Sequence, residues 1–253
     1  MTSPIPKDEK FKKDKIIKSK IGLNNAGESC YMASIIQILI HLEKFLDSLK
    51  QNYTKSKLYT EFYKFLKKIE QNKSETVRYY HYNYDFIEIK EIASVYHSIN
   101  HKFKGTEGNN PMTFFNEFIK DLNKNILTLF KGEKEINLKI KEKNQDKVDK
   151  SNEDFIFYLI TLDKSNKDLG TYFINNLNTE KEFENEKNET IIEKIKTFPE
   201  ILVINLELEI EDYKPETTIY IPYAYSEKKE EVEDYIGYNL KAINKYSDAH
   251  STA

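Results

Sequence analysis

Gly22-Leu23-Asn24-Asn25-Ala26-Gly27-Glu28-Ser29-Cys30-Tyr31-Met32, followed by Ala33-Ser34 and Gln37, decides how this chain is read, and it holds the only cysteine. From Tyr31 onward, Met32, Ile35, Ile36, Leu39, Leu42, Phe45, Leu46 and Leu49 recur at three- and four-residue steps, which predicts a helix with one apolar face. Ser29 suits its N-cap. Cys30 then falls in the first turn, where unpaired backbone N–H groups and the helix dipole favour a thiolate. Gly22 and Gly27 allow the preceding loop to turn tightly. Asn25 is placed to aim its amide at the oxygen that becomes negative when Cys30 attacks a carbonyl. The residues alone leave two readings open: a nucleophilic thiol, or a small buried hydrophobe packed ahead of an apolar helix.

Composition narrows the class. With 253 residues the chain can bury a sizeable core, as one large domain or two small ones. Its 39 basic and 42 acidic residues nearly cancel, to a net charge of −3, which argues against a nucleic-acid protein. A single cysteine excludes an internal disulfide framework and a Cys-rich zinc site. His81, His97 and His101 do not make a metal set, because no other residue nearby has ligand spacing. No apolar run reaches the length of a membrane span. The Lys-rich N-terminus has no apolar segment of the secretory kind. These features point to a reducing compartment, cytoplasmic and/or nuclear.

Along the chain, residues 1–19 are polar and Lys-rich with Pro4 and Pro6, and read as a flexible leader. Lys57 to Ile69 repeats a helical period through Leu58, Phe62, Phe65 and Leu66. Tyr79 to Phe86 is aromatic and reads as extended or looped, either a base-stacking stripe, a core segment or a peptide-binding wall. Asn110-Pro111 marks a helix start, with Phe114, Phe115, Phe118, Ile119, Leu122 and Ile126 on its apolar face. Phe155 to Ile160 is strand-like, whereas the Lys/Glu/Asn stretches 141–153 and 179–189 read as solvated loops. Ile201 to Leu208 predicts a strand, Lys214-Pro215 a turn into Thr218 to Pro222, and Tyr238 to Ile243 a last strand.

The box around Cys30 resembles that of the ubiquitin-specific proteases, G-L-x-N-x-G-x-T-C-Y-M-N-S-x-x-Q. Gly22, Leu23, Asn25, Gly27, Cys30, Tyr31, Met32, Ser34 and Gln37 fall on it, with Ser29 for Thr and Ala33 for Asn. Weaker matches follow in family order. Phe115-Asn116-Glu117-Phe118 resembles the D-A-x-E-F helix. Phe130 and Gly132, then Glu153-Asp154-Phe155 with Leu159, resemble the start of the fingers region. Phe198 to Leu206 is similar to the L-P-x-x-L-x-I-x-L strand, and Ile221-Pro222 to the following F-P. Tyr238, Leu240, Ala242 and Ile243 resemble the strand that opens the His box, and His250 to Ala253 resembles G-H-Y-x-A.

The resemblance implies an α+β, papain-like fold: a helical thumb over about 20–130, and a β-rich palm with reduced fingers over about 131–253. It implies a deubiquitinating cysteine protease acting on the (iso)peptide bond after the ubiquitin C-terminal glycine through a thioester. Cys30 is then the nucleophile, His250 the base, Asn25 an oxyanion donor, and Glu117 a carboxylate for the basic ubiquitin tail. Ubiquitin or ubiquitinated proteins are the implied partners, with no nucleic acid and no membrane, and the chain is expected to be a monomer. No cofactor and no metal are expected, because the paired C-x-x-C ligands of the fingers are absent from this sequence. Phe114 stands where the family has a tail-binding acid, and a third triad member after His250 has no position before Ala253. The domain is therefore expected to be truncated or to work with a dyad. The alternative is a USP-like pseudoprotease that binds ubiquitin or serves as a scaffold, and a different ubiquitin-like modifier is a further possible substrate.

Overall fold

The computed structural model describes residues 11–18, 21–24, 29–52, 56–71, 75–79, 82–103, 109–141, 146–177, 181–182, 189–210, 213–225, 232–243, 245–247 and 250–252. At 75–79, 82–85, 141, 146, 181–182, 189, 223–225, 232–234, 245–247 and 250–252 it describes the backbone alone. The chain divides into two units, Met1–Leu127 with Lys241–Ala253, and Thr128–Leu240. The secondary structure is α+β, as the resemblance implied.

The first unit is mostly helical. Its elements are α1 (Lys13–Ile17), β1 (Gly22–Asn24), α2 (Cys30–Leu39), α3 (Glu43–Gln51), α4 (Lys57–Glu70), β2 (Glu75–Tyr79) and β3 (Tyr82–Glu88). Then come α5 (Lys90–Ile99), a 3-10 turn (His101–Phe103), α6 (Pro111–Leu122) and α7 (Lys124–Leu127). From the far end of the sequence come β12 (Lys245–Ser247) and β13 (His250–Thr252), paired antiparallel with Ser247 opposite His250. The starts of the two longest helices are written in side chains. Ser56 accepts from the Tyr59 N–H at 3.1 Å, and Asn110 from the N–H groups of Met112 and Thr113, with Pro111 at the first helical position. Of the aromatic stretch 79–86, Tyr79 closes β2 and Tyr82 to Phe86 lie in β3, which pairs antiparallel with β2, while residues 80–81 lie outside the described residues.

Burial of aromatic rings holds this unit together. Phe114 and Phe118 on α6, Tyr96 on α5, Phe62 on α4, Tyr31 on α2 and Phe103 are all buried. Tyr96 and Phe114 meet edge-on at 5.3 Å between ring centroids, and Phe62 meets Phe118 the same way at 5.8 Å. Edge-to-face pairs add about 0.5–1.5 kcal/mol each beyond the area they bury.

Two sequence expectations change in this unit. Residues 11–18 are not a flexible leader: Phe11 and Ile16 are buried, and Lys13 bridges Asp47 at 2.7 Å and Glu43 at 2.8 Å on α3. Lys and Asp separate these two buried residues, so charge masked a short helix, Lys13–Ile17, that follows Phe11 and buries Ile16. The single helix expected from Tyr31 to Leu49 is two, α2 and α3. The chain tightens to i→i+3 bonds, His41 N–H to Ile38 O and Leu42 N–H to Leu39 O, and Leu42 turns extended. Ile40 and Leu42 stay buried through the turn, which is why apolar spacing alone does not reveal it.

The second unit is β-rich. It contains β4 (Gly132–Lys141), β5 (Asp146–Phe155), β6 (Tyr158–Leu162), α8 (Leu169–Asn176), β7 (Lys181–Glu182), β8 (Glu189–Thr197), β9 (Ile204–Leu208), β10 (Thr218–Tyr225) and β11 (Val232–Asn239). One sheet runs β5-β4-β8-β7; β6 pairs parallel with β9, and β10 antiparallel with β11. Its core gathers Phe155, Tyr158, Ile160, Leu162, Phe173, Leu177, Ile195, Ile219 and Ile221. Asp168 caps α8 by accepting from the Thr171 N–H at 2.7 Å.

Here the sequence reading missed more. Residues 146–153, expected to be loop, form most of edge strand β5, paired residue by residue with β4. Residues 181–182 and 189 belong to β7 and β8, again where a loop was expected. The run Phe155 to Ile160 splits between β5 and β6. Phe155 closes β5 with its ring over Gly132, and Tyr158 opens β6 by donating its N–H to Val203 O at 2.8 Å. The strand expected from Ile201 starts at Ile204, and β11 ends at Asn239, short of Ile243, with β12 and β13 still to come. Among the described residues, no helix is long and apolar enough to cross a membrane.

Candidate active site

Strand β1 leads into the Cys30 box and is held parallel to β3, Gly22 opposite Phe86 and Asn24 opposite Glu88. Cys30 is the first residue of α2, with a partly exposed free thiol. Ser29 occupies the N-cap position, and its carbonyl accepts the Ala33 N–H at 3.0 Å. Its hydroxyl does not make the capping bond: ψ is 23° rather than the extended value that turns a cap hydroxyl onto the helix. The thiol therefore lies where the helix dipole favours negative charge. Asn25, the expected oxyanion donor, lies outside the described residues.

Tyr31 anchors the first turn. It is buried, stacks on Phe103 at 6.1 Å and meets Phe114 edge-on at 5.4 Å. Its hydroxyl donates to the Phe103 carbonyl at 3.5 Å and is hydrogen-bonded by the Asn109 side chain. Burial raises the phenol above its ordinary pKa; the Asn109 bond opposes this, and negative charge at Cys30 adds to the rise. Farther along α2, Ser34 donates to Tyr31 O at 3.2 Å, and the Gln37 amide lies 3.0 Å from His41 Nε2.

Helix α6 packs against α2 and carries Glu117. Its carboxylate is half-buried, accepts from Asn116 at 3.2 Å and lies 3.7 Å from the Lys120 ammonium. Phe114, at the position of the family's acid, is completely buried between Tyr31, Tyr96, Phe103 and Phe118, so that position serves the core. For His250 the structure describes the backbone. Strand β13, which His250 opens, has Cα atoms within 8 Å of α2. The elements carrying the expected nucleophile and base are thus neighbours within one unit. His41 sits at the opposite end of α2, roughly 15 Å from Cys30 at 1.5 Å rise per residue, and its Nδ1 is 3.2 Å from Ile17 O.

A partly exposed thiol at a helix N-terminus, beside an element that carries an imidazole, is equipped for nucleophilic acyl transfer. Among the described residues, no group of three His, Cys, Asp or Glu side chains could hold a metal ion. Sequence reasoning missed the links from Tyr31 to Phe103 and Asn109, because nothing in residues 103–109 marks them as partners of a helix seventy positions earlier.

The model of the family described as ubiquitin carboxyl-terminal hydrolase matches residues 21–251. No curated protein matches the chain by sequence. Among solved structures it resembles the SAGA Ubp8/Sgf11/Sus1/Sgf73 DUB module bound to ubiquitin aldehyde, with TM-score 0.65 and 16% identity over 94% of this chain and 62% of that one. The same module bound to monoubiquitin gives TM-score 0.64 and 14% identity over 95% of this chain and 61% of that one. The chain thus spans under two thirds of the length of these relatives. At such identities the likeness carries the fold, which is the papain-like fold of the ubiquitin-specific protease type. Since the family match spans the chain from Ile21, before the Cys30 box, to Ser251 in β13, the chain belongs to the ubiquitin carboxyl-terminal hydrolase family.

Proposed function

We propose that this chain is a thiol-dependent deubiquitinating hydrolase that cleaves the (iso)peptide bond after the C-terminal glycine of ubiquitin. The observation that carries the reading is the partly exposed Cys30 at the start of α2, with strand β13 and its His250 against the same helix. The Cys30 thiolate attacks the glycine carbonyl. The Cys30 backbone N–H and the Asn25 amide stabilise the oxyanion. Collapse gives a thioester as His250 protonates the leaving lysine amine, and His250 then activates water to release ubiquitin. Glu117 meets the basic tail of the substrate. Ubiquitin or ubiquitinated proteins are the partners, in a reducing compartment that keeps the thiol free.

The test is release of a fluorophore from the ubiquitin C-terminus, together with adduct formation by a ubiquitin electrophilic probe. Activity should fall by at least about a thousandfold in Cys30→Ala. A folded sample with no turnover and no adduct on Cys30 would sink the enzymatic reading. The buried Phe114 favours a second reading, a USP-like pseudoprotease that binds ubiquitin or serves as a scaffold, because the position of a tail-binding acid has been given to the core. Saturable ubiquitin binding without turnover selects that reading.

A further inference from the structure

We propose that Tyr31 is a positioning residue for the Cys30 thiol, acting through the two polar groups that hold its hydroxyl, the Phe103 carbonyl and the Asn109 side chain. The inference rests on the hydrolase reading and deepens it. Tyr31 follows the nucleophile directly, so the orientation of its peptide unit sets the direction in which Cys30 Sγ leaves the first turn of α2. Ser29 does not supply the usual hydroxyl cap of this turn. Tyr31 restrains it from the core side. The Tyr31 ring is wedged between Phe103 and Phe114, and its hydroxyl reaches the backbone 72 residues away.

The ring contacts alone would satisfy packing, and a phenylalanine would make them equally well. The hydroxyl adds direction. A buried phenol must be hydrogen-bonded, and its two partners lie on either side of residues 104–108, so satisfying it locks α2 in register with both the 3-10 turn and the start of α6. Asn110, the neighbour of Asn109, caps α6, which carries Glu117. One hydroxyl therefore ties the elements that carry the proposed nucleophile and the proposed tail-binding carboxylate. Displacing a reacting atom by an ångström costs on the order of a hundredfold in rate, so loosening this tie should show in turnover.

The experiment compares full-length wild type, Tyr31→Phe and Asn109→Ala. It uses hydrolysis of a ubiquitin C-terminal fluorophore and, separately, alkylation by iodoacetamide, which reports Cys30 alone because the chain has no other cysteine. Tyr31→Phe should lower kcat about tenfold with KM within about twofold, change the alkylation rate of Cys30 at least about threefold, and leave the helical circular dichroism signal unchanged. Asn109→Ala should move both rates in the same direction by less. Unchanged kcat and alkylation in Tyr31→Phe overturn the proposal, as does a loss of thermal stability with Cys30 alkylation unaltered, the mark of a packing role. If wild type shows no hydrolysis, the hydrolase reading fails, and the alkylation comparison still decides whether Tyr31 governs the thiol.

Discussion

The helical and β-rich units solve the same problem with opposite materials. In the helical unit, Phe62, Tyr96, Phe103, Phe114 and Phe118 are buried rings that bind helices to one another. In the β-rich unit, the sheet β5-β4-β8-β7 is threaded with charge. Lys134 lies 3.5 Å from both Glu153 on β5 and Glu193 on β8, and Lys196 lies 3.4 Å from Glu135. Partly exposed surface pairs of this kind contribute about 0–1 kcal/mol each, so the sheet depends on its ladder of backbone bonds and on the face packed against Tyr158 and Phe173. Tyr158 marks the boundary between the two regimes. Its hydroxyl donates to Glu193, and burial followed by that carboxylate holds the phenol protonated well above its ordinary range. A ring core tolerates little loss of volume, whereas a charged sheet tolerates change on its surface and fails where backbone or ring must move.

The contrast breaks most directly at Phe118. Phe118→Ala should cost about 3–5 kcal/mol, read as a fall in urea midpoint followed by the helical signal. A cost under about 1 kcal/mol would mean that the ring cluster is not what holds the helices. Gly132→Ala sharpens the other side. An added Cβ would lie 2.3 Å from the tip of the Phe155 ring, and that ring is packed edge-on against Tyr158 at 5.5 Å. Displacing it should cost about 1–3 kcal/mol and speed amide exchange along β4, whereas unchanged exchange would show that the ring swings aside freely.

The smallest expected effect is electrostatic. The Asn137 amide, with the Lys196 ammonium adding to it, holds the Glu135 carboxyl below its ordinary value of 4.5. A carboxyl depressed in the folded state stabilises above its unfolded pKa, and that share is lost as pH falls through the folded value. Glu135→Gln should therefore cost under about 1 kcal/mol at neutral pH and flatten the decline of stability between about pH 5 and about pH 3. A decline as steep as that of wild type would assign the acid sensitivity to other carboxylates.

The same contrast explains what could be read in advance. Helices α4 and α6 were legible because apolar residues at three- and four-residue steps coincide with buried positions, and because Asn110-Pro111 is a local stop-and-start signal. The family was legible because the neighbours of Cys30 carry its pattern, and the helix start at Cys30 because apolar spacing begins there. Strand β5 was not: Lys147 to Asp154 lies largely exposed at a sheet edge, so no apolar alternation is required of it, and only pairing with β4 makes it a strand. Helix α1 was hidden for a related reason, since one buried residue, Ile16, among charged neighbours leaves no period to read. The partners of Tyr31 come from distant positions, and local patterns do not encode such meetings.

The pairing of Lys241–Ala253 with Met1–Leu127 also bears on how the molecule is made. The β-rich unit is an insertion whose residues are contiguous, so its internal contacts can close without the segment Lys241–Ala253. The helical unit has to wait. Its cysteine is translated early, yet β13, whose Cα atoms lie within 8 Å of α2, is synthesised after everything else described, so the contact between these two elements is among the last the molecule can make.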